Sequence, residues 1–90
     1  MKLVEFTYTK ANGDVSQRAV VEVQAPNTNF EGIDISELPE EVYAEFVQEY
    51  RTLKNAQYEQ TMEVMRKFDI SHNYRKFIPS RMTNVVTEYV

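Results

Sequence analysis

Arg75, Lys76 and Arg81 stand among Tyr74, Phe77, Ile78 and Met82 in the stretch NYRKFIPSRMTNVV. Cations interleaved with aromatic rings are what a single-stranded nucleic acid or a nucleotide needs, because guanidinium groups grip phosphates bidentately and rings stack on bases. With Arg18 added, the candidate ligand face is Arg18, Tyr74, Arg75, Lys76, Phe77 and Arg81. The competing reading is structural and is the one the residues favour. It has the three arginines paired internally with Glu5, Glu22 or Asp34, at a corner where Pro79 interrupts a strand because it has no N–H to donate.

A second constellation is acidic. Glu41, Glu45 and Glu49 recur every fourth residue, which places them along one helix face. A hard cation would need spaced oxygen ligands around a Gly-centred loop, and none accompanies them. They read instead as a solvated face, or as a surface for a protein partner together with Tyr58. Tyr43, Phe46 and Tyr50 share the helical spacing and read as cover for a core. His72 is the only histidine and there is no cysteine, so a histidine triad, a multi-histidine metal site and a thiolate nucleophile all lack partners. Asn12-Gly13-Asp14 is a turn; a second glycine and a following Lys-Ser or Lys-Thr, which a phosphate loop requires, are missing. The expectation is a non-catalytic protein with no cofactor and no metal.

Charge is distributed unevenly. Residues 1–65 carry five Lys or Arg against twelve Asp or Glu, and residues 66–90 carry five against two. Between Glu31 and Glu49 lie seven acids and no base, a block that repels phosphate backbones. No apolar run approaches the roughly 20 residues of a spanning helix, and MKLVEFTY lacks the apolar stretch of a signal peptide, so no membrane role and a cytoplasmic location are expected.

The elements that must position these residues fit one domain of 90 residues. KLVEFTYT at 2–9 alternates as a half-buried strand, and VSQRAVVEVQ at 15–24 has the β-branched composition of its partner. Asn12-Gly13 between them marks a tight hairpin. APNTN at 25–29 is a loop, and FEGIDI at 30–35 a short strand with Gly32 at a bulge. Ser36 precedes a helix whose first turn holds Pro39, Glu40 and Glu41. Helical composition continues to about Phe68. Unbroken, that segment would be about 45 Å long at about 1.5 Å per residue, so it must project, bend near Asn55 or pack on a second copy. After a polar connection at 69–73 come a strand from Tyr74, a turn of helix at Pro79–Met82, and a last strand to Tyr89. The expected core gathers Phe6, Tyr8, Val20, Ile33, Phe77 and Val85.

Two short strands in a hairpin, a third strand and a final pair joined by a helical turn resemble an SH3-like barrel. YTKANGDVSQRAVV, with Tyr8, Gly13 and Arg18, is similar to the opening hairpin of the WYL domain. YRKFIPSRMTNVV, with Arg75, Phe77, Arg81 and Met82, resembles its closing segment. The likeness spans roughly a third of the chain, in the two end segments alone. The Trp-Tyr-Leu strand that names that family is absent, and a helical segment occupies its place. The resemblance implies an α+β fold: a small SH3-like antiparallel β-barrel or sheet over residues 2–35 and 74–89, with a long helical insertion at about 39–68. It implies a small binding or regulatory module, similar to a phage-encoded accessory protein that docks on a host regulatory or defence protein in the host cytoplasm. The alternative it implies is a nucleic-acid or nucleotide sensor. The over-long helix adds a route to a homo-oligomer.

Overall fold

Alternating residues at one end of the chain and a β-branched run after an Asn-Gly turn do form the hairpin at the centre of the sheet. In the computed structural model, which describes residues 2–22, 30–54, 56 and 58–89, the elements are β1 (Lys2–Thr9), β2 (Val15–Glu22), β3 (Phe30–Asp34), α1 (Glu40–Arg51), α2 (Tyr58–Lys67), β4 (Tyr74–Phe77), a 3-10 turn (Pro79–Arg81) and β5 (Met82–Tyr89). The protein is α+β, with one five-stranded antiparallel sheet in the order β4-β3-β2-β1-β5. The expected loop at 25–29, the end of the expected second strand at 23–24 and the bend expected at Asn55 lie outside the described residues.

The hairpin turn differs in detail from a two-residue Asn-Gly turn. The Gly13 N–H donates to the Lys10 carbonyl and the Lys10 N–H to the Asp14 carbonyl, and Gly13 alone takes positive φ, +90°. This is a three-residue loop, a type I turn closed by a left-handed glycine. Asn12 contributes through its side chain, whose Oδ1 accepts the Asp14 N–H at 3.0 Å.

The strands β1, β2 and β3 are buried on both faces over much of their length, so successive residues there serve different cores. Leu3, Ala19, Val21 and Ile33 meet Phe46, Val47, Tyr50, Val64, Met65 and Ile70 beneath the two helices. Val4, Phe6, Val20, Phe30 and Phe77 form a second, inner cluster. In a flat sheet, three strand spacings of about 4.8 Å would hold β1 and β4 about 14 Å apart. Yet the Phe77 ring centroid lies 5.2 Å from that of Phe6 and 5.0 Å from that of Tyr8, and the Ile78 N–H donates to the Tyr8 hydroxyl at 3.2 Å. The sheet is therefore strongly rolled around its aromatic face.

Gly32 marks a close approach of β3 to β2. Among the described residues the β2–β3 ladder runs through Val20↔Asp34 and Val21↔Ile33, next to Gly32. There a Cβ would strike the Val21 carbonyl oxygen and lie 2.7 Å from Val20 Cγ1.

The helical segment is two helices, not one. The chain leaves α1 through Thr52, whose hydroxyl donates to the Glu49 carbonyl at 2.6 Å, and through a turn at Leu53. The connection reads TLKNAQ, which offers few apolar side chains to hold a helix on the sheet. The break returns α2 across the sheet so that Thr61, Val64 and Met65 are buried, within a molecule whose longest dimension is 36 Å. The segment is therefore not a single projecting arm. At the far end, Asp69 (φ 57°) closes α2. Its N–H donates to the Arg66 carbonyl and the Ile70 N–H to the Met65 carbonyl, a Schellman motif with its usual apolar contact between Ile70 and Met65.

One core assignment is corrected. Val85 is 51% exposed, because β5 is an edge strand carrying a bulge: its register against β1 shifts between Glu5 and Thr7, and Asn84 is left-handed at φ 53°. Ile33 is buried, but beneath the helices rather than among the inner aromatics.

Gly32→Ala tests the close approach. Because backbone stands in the way, the expected loss is at the upper end of about 1–3 kcal/mol, measured by urea denaturation. An alanine variant as stable as the parent would contradict the geometry.

Candidate functional site

The basic strand is arranged by pairing. In β4, Lys76 stands opposite Glu31, Arg75 opposite Gly32, Tyr74 opposite Ile33 and Phe77 opposite Phe30. Lys76 Nζ is 3.4 Å from Glu31 Oε1, and the Tyr74 hydroxyl donates to Glu31 Oε2 at 2.9 Å. Partial desolvation and that bond to Glu31 both raise the Tyr74 pKa. Phe77 is buried in the aromatic cluster, where no base could stack on it.

Arg18 and Arg75 converge on a single carboxylate. Asp34, 5% exposed, accepts from Arg18 Nη1 at 2.9 Å and lies 3.7 Å from Arg75 Nε. Its other oxygen accepts the Ser36 N–H at 2.9 Å. Ser36 precedes the helix as expected and is tied to the sheet. Its hydroxyl accepts the Ala19 N–H at 2.7 Å, and Pro39 occupies the helix boundary. Of the six ligand-face residues, Arg18, Arg75 and Lys76 are ion-paired within the fold, Phe77 is core and Tyr74 is half-exposed but hydrogen-bonded. Arg81 makes no side-chain ion pair among the described residues, and its backbone N–H closes the 3-10 turn onto Ile78.

The acidic face lies on α1, opposite the side that buries Phe46, Val47 and Tyr50. Glu41 and Glu45 are exposed, while Glu49 is intermediate and holds Lys67 of α2 at 3.0 Å. Between the helices runs an open groove of about 690 Å³, lined by Val42, Glu45, Gln48, Glu49, Thr52, Lys67, Phe68 and Asp69. Three carboxylates and one ammonium thus surround apolar Val42 and Phe68. Tyr58 begins α2, at the opposite end of that helix from Lys67, and lies near enough to Tyr74 for an ionised Tyr58 to disfavour ionisation of Tyr74. It therefore groups with the β4 edge, whereas Glu45 and Glu49 group with the groove. His72 lies in the connection after α2, exposed and 3.9 Å from Asp69. Among the described residues no three His, Cys, Asp or Glu side chains are grouped to hold a metal.

Two polar features went unread in the sequence. Arg51 at the end of α1 forks onto both Glu88 carboxylate oxygens at 2.9 Å, fastening the helix layer to β5; this bond lowers the Glu88 pKa and raises that of Arg51. Tyr50, 1% exposed, has a buried hydroxyl with no partner among the described residues. Burial first, then the charges of Glu88 and Glu22, push its pKa up to about 12. Neither feature has a local signal: Glu88 is remote from Arg51 in sequence, and the burial of the Tyr50 hydroxyl depends on the packed layer around it. Asp34 did carry one: an acid between Ile33 and Ile35 in a strand must be exposed or paired.

Asp34→Ala leaves Arg18 buried without its counter-charge, and the expected cost is about 3 kcal/mol or more. Lys76→Ala at the exposed end of the same sheet is expected to cost less than about 1 kcal/mol. Chemical denaturation of the two variants checks the ranking, and equal losses would contradict it. The Arg51–Glu88 clamp gives a pH signature. Because the folded Glu88 pKa is depressed, its contribution is complete above the ordinary glutamate value of about 4.3 and fades as pH falls through the folded value. The melting-temperature gap between the parent and Glu88→Gln should therefore close on acidification. A gap independent of pH would show that the carboxylate charge is not what matters.

No protein-family model, curated protein or solved structure matches this chain.

Proposed function

We propose that the chain is a non-catalytic docking module that receives a basic, partly apolar segment of a protein partner in the groove between α1 and the end of α2. The observation that carries this reading is the lining of the groove. Glu45, Glu49 and Asp69 ring Val42 and Phe68, which matches a segment whose Lys or Arg residues flank apolar anchors. Glu41 lies one turn before Glu45 and extends the negative field along the approach. The state of the opposing cations adds support: Arg18 and Arg75 already share Asp34, and Lys76 is engaged by Glu31. This leaves the nucleic-acid or nucleotide-sensing alternative with Arg81 and the rim of Tyr74.

The finer fold reading is an SH3-like barrel. It is supported by the order β4-β3-β2-β1-β5, by the 3-10 turn between β4 and β5 and by the roll that brings Phe77 to Phe6. The narrower idea of a WYL-like phage accessory protein acting on a host regulatory or defence protein in the host cytoplasm rests on the two end motifs alone. No helix among the described residues is long and apolar enough to cross a membrane.

The test is a pair of titrations with defined probes: a synthetic amphipathic peptide bearing lysines around leucine anchors, and a poly-thymidine oligonucleotide. The peptide should bind, with affinity falling as salt rises, and Glu41→Lys with Glu45→Lys should weaken it by about tenfold or more. Glu49 is left in place so that Lys67 keeps its partner. Tight oligonucleotide binding that Arg81→Ala abolishes would overturn the proposal in favour of the sensor.

A further inference from the structure

The two edges of the sheet are guarded very differently. β4 has four residues, two of them Arg75 and Lys76, and Pro79, which lacks an N–H, follows shortly after. Short length, cations and proline are the usual means by which an edge refuses another strand. β5 has eight residues, MTNVVTEY, with no Lys, Arg or Pro. Its single charge, Glu88, is already held by Arg51. Val85, Val86 and Tyr89 are 51%, 66% and 76% exposed. Among the described residues β1 alone pairs with it, and in an antiparallel strand alternate residues point their N–H and C=O away from the neighbour. The outer side of β5 thus offers backbone donors and acceptors in a row, flanked by apolar side chains.

We propose that this edge pairs antiparallel with β5 of a second copy of the chain, across a two-fold axis at Val85 or Val86, joining two sheets into one. A two-fold antiparallel pair sets one residue opposite its own counterpart, so the strand must tolerate its own charges. It does: with the axis at Val85, Glu88 falls opposite Met82, and at Val86 it falls opposite Asn84, so no like charges meet. The valines cluster at the axis. A basic or acidic partner strand would find no unpaired charge among the side chains of this strand. The bulge spans Asn84 and Val85 and bends the strand there, and β5 is regularly paired with β1 from Val86 onward. Because each copy carries a net charge of −4, added salt should strengthen this contact by screening repulsion, opposite to its effect at the acidic groove.

Sedimentation equilibrium on the intact chain tests the pairing from micromolar concentration to about 1 mM. The expected result is a monomer–dimer equilibrium that shifts toward dimer with salt, and a Val86→Lys variant that stays monomeric with unchanged circular dichroism. The chain has no cysteine, so a single introduced thiol gives an independent readout. Val86→Cys should form a disulfide-linked dimer under mild oxidation by oxidised glutathione, faster than Val15→Cys, whose position is similarly exposed at 62%. An unaltered chain that remains monomeric throughout, a dimer that survives Val86→Lys, or equal cross-linking rates at the two positions would overturn the proposal.

Discussion

A carboxylate buried beneath two guanidinium groups fixes the arrangement on which the other elements depend. Asp34 ends β3, the strand that joins the hairpin to the β4 edge. Through Arg18 it holds β2, through Arg75 it holds β4, and through the Ser36 N–H it sets the path by which the chain leaves for α1. A paired buried charge adds little net stability over an apolar isostere, since desolvation offsets much of the attraction. What it does supply is a geometric requirement. A one-residue slip of β3 would carry Asp34 to the other face of the sheet, away from Arg18, so register, strand order and helix entry are specified together.

With that corner fixed, a chain of modest length covers its sheet twice. The roll packs Phe6, Phe30 and Phe77 edge to face on the inside, while the two helices close the outside with Phe46, Tyr50 and Met65. Between the two layers β3 approaches β2 so closely at Gly32 that a side chain there would meet Val20 and Val21. The acidic groove is a by-product of the same economy, because it lies where α2 returns toward the end of α1.

Much of this was legible in the sequence wherever the signal was local. The Asn12-Gly13 turn, the strand ending at Pro79 and the acidic first turn of α1 are set by residues within a few positions of one another, and each formed. Asp34 was among the partners expected for the arginines. The helix break was not resolved, because TLKNAQ is tolerable in a helix and the decision depends on what the sheet can cover. Ile70 was hidden for a related reason: a polar connection read from composition contains one residue that a Schellman motif turns into the core. Val85 carried the apolar type of a core residue and lost its place to a bulge opposite β1. The groove was unreadable because Phe68 and Asp69 meet Glu45 only after α2 folds back.

Tyr50 makes the state of the molecule optically visible. The chain has no tryptophan and six tyrosines, so its near-ultraviolet absorbance is dominated by phenols. A tyrosine whose folded pKa is raised to about 12 contributes stability that is complete below the ordinary value of about 10 and is lost as pH climbs through the folded value. Strong alkali thus draws on the packing beneath the helices chiefly through this hydroxyl, the most strongly shifted of the raised phenols, so the last share of the phenolate absorption band to appear carries a spectroscopic record of that layer opening.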